Sequence, residues 1–280
     1  MPSGTPTAAK RVRLAAIGLQ KIREKNHIAR KHLPALREFF KQQRERVLEA
    51  LDGLKPYLEG ETIAKTNKAA PNVQQAALDQ FGKAWGSIEK STTPDLQDLI
   101  LKIEEDGMQA GGDLLQDLIN PGGKFWDLSN PRAVEFFRKT GGSLGYIKDI
   151  QITTRDQLQF AIVKALEEGK SYDVTAKEIQ RLFDGPISRD RARLIATHEA
   201  AQSYEAGNRG FADTLNDEGT NMEKRWENSG DGKVSDGWLE NTADGWIPID
   251  QPHSSGHQNP PRFPGCRCWE SYRQAKGGDE

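Results

Sequence analysis

The chain has 280 residues, with 39 Lys plus Arg against 41 Asp plus Glu, a net charge of -2 and a mean hydropathy of -0.74. Its length allows two ordinary domains, yet 35% hydrophobic and 29% charged residues are more polar than a compact enzyme of this size requires, so extended helices and partner-covered surface are expected. No apolar run approaches the roughly 18 residues of a membrane span, no secretory core opens the chain, and two cysteines, Cys266 and Cys268, make no disulfide framework.

Charge is unevenly placed. Residues 1–46 hold twelve Lys or Arg against three acids, a balance of +9, so the rest of the chain carries -11. Lys10, Arg11, Arg13, Lys21, Arg23, Lys25, Arg30, Lys31 and Arg37 form a basic arm suited to DNA or to an acidic protein surface, with a solvated helix face as the plain alternative. Val12, Ala15, Leu19 and Ile22 predict an amphipathic helix from about residue 8, with that stripe as its apolar face. Leu33, Leu36, Phe40, Gln43, Val47, Ala50, Leu54 and Tyr57 keep heptad spacing in a second, longer helix, with Pro34 in its first turn and Pro56 at its end.

Between residues 59 and 130 the pattern is helical but interrupted. Pro71 opens one stretch, Thr93 caps another that starts at Pro94, and Gly107, Gly111, Gly112 and the 120–123 turn predict short helices joined at corners. Asn130 and Pro131 start a helix that Gly141 and Gly142 stop. Ile147, Ile150 and Ile152 alternate briefly, after which Thr154 and Gln157 form a capping box for a helix ending at Gly169. Val174 to Phe183 form a short helix ended by Gly185 and Pro186, and Ser188 caps a long one to about Gly207. Residues 220–273 hold four of the six tryptophans and extended pieces at Met222–Trp226 and Trp246–Ile249. The expected fold is mainly α, with extended N-terminal helices and a small irregular α+β unit at the C-terminus. Its segments are a basic helical arm (1–58), a helical connector (59–126), a helical part (127–219) and a Trp-rich tail unit (220–280).

Three stretches in this order, ITTRDQLQFAIVKALEEGKS (152–171), RARLIATHEAAQSYEAGNRG (191–210) and the segment from Lys224 to Arg273 with its Cys-Arg-Cys ending, resemble the phage Mu protein F-like family of head-morphogenesis proteins. The resemblance covers roughly residues 127–273. It implies a low-copy minor capsid protein, not an enzyme, that binds the portal and serves procapsid assembly and DNA packaging or ejection. The implied place is inside the capsid near the portal vertex, after a phase in the host cytoplasm. Partners implied are the portal, with packaged DNA and major capsid or scaffolding protein as further ones, and no membrane. With twelve residues after Cys268, no appended effector domain is expected.

Relatives resemble a small zinc knuckle at this ending, but here the upstream ligand positions are Ser235 and Trp238 and the position before the proline is Phe263. Two thiolates do not close a tetrahedral zinc site, which takes four ligands. Packing by Trp238 and Phe263 is therefore expected in place of a metal, with solvated loop histidines and no cofactor. The alternative is a Cys2His2 zinc set from His253, His257, Cys266 and Cys268. Arg193, His198 and Glu199, with Trp226, are expected to be structural. His198-Glu199 lacks a second zincin ligand because Gln202 stands four residues on. Ser235, Asp236 and His253 lack a nucleophile elbow, and Gly141, Gly142 and Gly145 form no phosphate loop. A DNA-binding accessory protein and, more distantly, a hydrolase or transferase in the tail unit are the competing functions.

Overall fold

Helix-favouring Ala, Leu, Lys, Arg and Glu dominate residues 8–52, and in the computed structural model they form one helix, α1 (Ala8–Asp52), which runs through Pro34. The structure describes residues 8–59, 69–119, 126–140, 144–228, 236–263 and 266–275, without the side chains of 8–15, 137–140, 144–146 and 236–238. A single turn α2 (Lys55–Leu58), α3 (Pro71–Ile119), α4 (Pro131–Thr140), α5 (Leu144–Glu167) and α6 (Tyr172–Leu182) follow. A π-helical segment (Phe183–Arg191) leads into α7 (Ala192–Asp217), and then come β1 (Met222–Glu227), α8 (Asp236–Ala243), β2 (Ile247–Pro248) and β3 (Trp269–Gln274). The fold is thus mainly α with a small antiparallel sheet near the C-terminus, as expected.

The chain divides into two compact units. One comprises Leu33–Ile100 and Ser143–Arg193. Its core is built from Leu36, Phe40, Val47 and Leu51 of α1, Phe81, Trp85 and Leu96 of α3, and Leu158, Ile162 and Leu166 of α5, all buried. One polar layer crosses it. Gln43 donates to Gln151 Oε1 at 2.9 Å and Gln151 to Thr92 Oγ1 at 3.3 Å, which leaves the buried Gln43 Oε1 without a partner.

Several expected boundaries in this unit are not boundaries. Pro94 lies inside α3, and Thr92 and Thr93 do not cap a new helix. Each turns its hydroxyl back to the carbonyl four residues earlier, Ile88 O at 2.9 Å and Glu89 O at 2.8 Å, so the helix continues past the proline. Thr154 likewise donates to Ile150 O at 2.8 Å in the middle of α5, where Ile147 and Ile150 are buried one helical turn apart and not along a strand. Gly185 and Pro186 do not end the chain's helical course, because the wider π-helical turn takes up the proline while burying Phe183 and Ile187.

The other unit comprises Met1–His32, Leu101–Gly142 and Leu194–Glu280. Its largest departure from expectation is α3, where Gly107, Gly111 and Gly112 are contact points and not corners. A Cβ on Gly111 would lie 2.0 Å from Tyr204 O, and one on Gly207 of α7 would lie 2.1 Å from Met108 O. Backbone therefore meets backbone, which only glycine permits, and the contact outweighs glycine's low helix propensity. Trp126 closes the crossing, donating Nε1–H to Met108 O at 3.1 Å and meeting Phe211 edge-on at 6.3 Å. A cluster of Met108, Leu115, Trp126, Phe211, Leu215, Met222, Ile249 and Tyr272 carries this core into the sheet. The strand order is β2-β1-β3, both pairs antiparallel, with Lys224 opposite Tyr272 and Trp226 opposite Glu270.

Candidate functional site: a closed ion network at the C-terminal sheet

Among its described residues the first helix buries a face other than the one Leu19 lies on, and the side chains of Val12 and Ala15 from the expected apolar stripe lie outside the described residues. Gly18, Lys21, Lys25, Ile28 and Ala29 are buried at helical spacing, while Leu19 is 55% exposed. Gly18 admits the Trp269 ring, and Lys21 and Lys25, one turn apart, reach into the unit and not into solvent. Lys25 Nζ lies 2.5 Å from Glu205 Oε1 of α7, and Lys21 Nζ lies 3.9 Å from Glu205 Oε2. Lys21 also donates to Glu270 O at 2.6 Å. Two ammonium groups thus face the fully buried Glu205 carboxylate, and Lys21 also meets the backbone carbonyl of the fully buried Glu270, where water is excluded. Desolvation lowers the Lys21 ammonium below its ordinary range, against the opposing pull of Glu205.

Glu270 is the centre of this network. Its backbone N–H donates to Glu205 Oε2 at 3.2 Å, and its carboxylate accepts the Tyr272 hydroxyl at 2.6 Å and lies 2.8 Å from His253 Nε2. Burial, with the Glu270 charge beside it, pushes the Tyr272 phenol well up. His253 Nδ1 lies 3.4 Å from Asp244 Oδ2, and its ring stands edge-on to Trp226 at 5.1 Å. On the same strand pair, Lys224 donates to Gln258 O at 2.5 Å and to its Oε1 at 3.0 Å, and desolvation brings its ammonium down to about 8. Tyr204 donates to a Glu24 carboxylate oxygen, which ties α7 to α1 a second time.

The expected site residues fall in different places. Lys10, Arg11 and Arg13 lie in α1, but their side chains are outside the described residues, as is that of Trp238. Lys21 and Lys25 are interior, so they are not part of a free arm; Lys31 is exposed but bonded to Asp106 at 2.6 Å. Arg23, Arg30 and Arg37 are exposed. His198 and Glu199 are buried in α7, whereas Arg193 is exposed and so lies outside that core. Desolvation takes the His198 ring down to about 4. Ser235 lies outside the described residues, and His253 is bound to Glu270, away from any nucleophile.

The residues around Cys-Arg-Cys do not fit a four-ligand zinc site. His253, expected in solvent, is 2% exposed, with Nε2 bonded to the Glu270 carboxylate at 2.8 Å and Nδ1 3.4 Å from Asp244 Oδ2. His257 is half-buried against Ser255, its Nδ1 3.1 Å from Ser255 O. Cys268 donates its thiol hydrogen to Cys266, which draws the Cys266 thiol down to about 6 and holds the Cys268 thiol up. Both pack with Trp226, while Phe263, expected to fill the metal's place, is 46% exposed. Trp226 does that packing because β1 alternation turns it inward, on the same face as Met222 and Lys224. Among the described residues, no group of three or more His, Cys, Asp or Glu converges as metal ligands.

Glu205, Glu270, Tyr204 and Tyr272 have no motif that marks them in advance. The one available signal is the spacing Gly18, Lys21, Lys25, Ile28, which puts two cations on a helical face with a glycine and an isoleucine. Chemically the arrangement is a lock: its charged groups are shut away from any substrate, and they join α1, α7 and β3. No helix among the described residues is long and apolar enough to cross a membrane.

No curated protein and no solved structure matches the chain. Residues 156–270 match the family model described as Phage Mu protein F like protein, a span that starts in α5 and ends at Glu270. It contains Glu205, His253, both cysteines and Glu270 but not Lys21 or Lys25. Residues 156–270 are thus similar to the Phage Mu protein F-like family, and the match supports a phage head-morphogenesis protein.

Proposed function

We propose that the protein is a structural, non-catalytic minor head component that binds the portal and supports procapsid assembly and DNA packaging or ejection. The match over residues 156–270 carries this reading. The site supports it, since the buried Glu205, His253 and Glu270 of the matched region are committed to partners within the protein. Portal contact is favoured over DNA contact. Lys21 and Lys25 neutralise internal carboxylates and Lys31 is paired with Asp106, which lowers the positive charge the first helix presents to a polyanion.

Recovery from procapsids assembled with and without portal tests the reading. The protein should co-purify with portal-containing procapsids and be lost from portal-free ones; equal recovery from both would refute portal attachment. DNA binding by the exposed Arg23, Arg30 and Arg37 would instead show duplex affinity falling steeply with salt and removed by changing all three to Glu.

A further inference from the structure

Side chains, not a strand, cover the outer edge of β3. Ala275 N–H donates to Asn221 O at 2.7 Å, and in an antiparallel ladder successive residues alternate between bonding the neighbouring strand and facing away from it. Ser271 and Arg273 therefore bond β1, and the backbone groups of Cys268, Glu270, Tyr272 and Gln274 face outward. Among the described residues, the sheet order β2-β1-β3 places no strand there. Glu205 accepts the Glu270 N–H at 3.2 Å, Lys21 donates to Glu270 O at 2.6 Å and Lys25 to Cys268 O at 3.5 Å. These three side chains make bonds that a fourth strand would otherwise make, which is one way proteins blunt an edge.

We propose that residues 16–32 of α1 are a displaceable guard, and that the β3 edge behind them is a strand-pairing surface for a second copy of this chain. The register identifies the occupant. Antiparallel pairing of two β3 strands about Ser271 sets Glu270 opposite Tyr272 and Trp269 opposite Arg273 of the other copy. The outward-facing residues 270 and 272 then form the hydrogen-bonded pair, and the facing side chains attract: hydroxyl to carboxylate, guanidinium to indole. Sliding the strands by two residues toward the N-terminus sets Glu270 against itself, so charge selects the first register. The guard is held by two lysines facing Glu205, and reversing their charge lifts it; Glu205, which belongs to α7, must then also turn its carboxylate off the Glu270 N–H.

The full-length Lys21→Glu/Lys25→Glu variant tests this. Its mass in sedimentation should double from the 31.2 kDa of the monomer at tens of micromolar protein, while the wild type stays monomeric. Adding Ser271→Cys should give a disulfide-linked dimer under mild oxidation, because non-hydrogen-bonded pairs in such a ladder bring Cα atoms to about 4.5 Å. Adding Gln274→Pro should restore the monomer, since that exposed residue's N–H faces away from β1 and only the new pairing would use it. A charge-reversed variant that remains monomeric, or a dimer indifferent to Gln274→Pro and not linked through position 271, overturns the proposal. If charge reversal abolishes folding, Lys25→Gln with Ser271→Cys replaces it. Linking should then be at least tenfold faster than for Ser271→Cys alone, and an unchanged rate refutes the guard.

Discussion

Two glycine-to-alanine changes in one helix should have opposite signs. Gly86 of α3 is exposed, and a Cβ there meets nothing within 4 Å, so Gly86→Ala should add about 0.5 to 1 kcal/mol through backbone propensity alone. Gly111 of the same helix gains the same propensity but places its Cβ 2.0 Å from Tyr204 O and 2.8 Å from Tyr204 C. Those are backbone atoms, which no rotamer change can move. The helices must part by more than an ångström, carrying Trp126 and Met108 with them, and overpacking of this kind costs about 1 to 3 kcal/mol, with the upper end apt where backbone is the obstacle. The net for Gly111→Ala is a loss of about 2 kcal/mol. In thermal unfolding followed by far-ultraviolet circular dichroism, Gly86→Ala should raise Tm by about 2 °C and Gly111→Ala lower it by about 4 to 8 °C. Shifts of the same sign would mean that the glycines are tolerated breaks and not a helix contact, and the account of α3 as one rod pinned to α7 would fail.

The ion network, the buried histidine and the cysteine pair each yield a further measurement. Lys25→Met leaves Glu205 buried without its nearest cation and should cost about 3 to 5 kcal/mol in urea denaturation, most of it recovered by adding Glu205→Leu. No recovery in the double variant would show that the lysine stem, not the charge pair, matters. His198 has its ring drawn from the ordinary 6.5 down to about 4, so the neutral form is the folded one. Its contribution is complete above about pH 6.5 and is lost as pH falls towards 4, on the order of 3 kcal/mol in the limit. His198→Gln should flatten stability over that window relative to the wild type, and parallel curves would contradict it. Metal analysis of purified protein should find well under one zinc per chain, because His253 is engaged by Glu270 and Asp244; stoichiometric zinc lost in His253→Ala would reverse that assignment.

Helix type and two of the three strands of the small C-terminal sheet were legible in the residues because they rest on periodicity and on runs such as Met222 to Trp226, where alternation is local; β3 (Trp269–Gln274) was not expected. What was not legible was set by long-range contact. Gly107, Gly111 and Gly112 carry the propensity of a break, and only the opposing Ser203, Tyr204 and Gly207 turn them into a crossing. Thr92, Thr93 and Thr154 have the chemistry of caps, but each hydroxyl serves equally well four residues back along a helix that tertiary packing keeps going. The burial of Lys21 and Lys25 could not be read from α1, since nothing within that helix names Glu205 as a partner 180 or more residues away. His253 was misplaced for the same reason: its loop looks solvated until Glu270 of β3 arrives beside it.

The positive charge of the first helix therefore has two roles that composition merges. One part is internal: at Lys21 and Lys25 it neutralises carboxylates of a region whose family match begins more than a hundred residues later. Another part, at Arg23 and Arg30, is exposed. These two sets alternate along one helix, so a truncation aimed at removing a binding arm would also strip Glu205 of both cations, and lost partner binding would then report lost folding. Point changes at Arg23 and Arg30 separate the effects. They leave the lock intact, and any loss of portal or DNA capture they cause belongs to the surface.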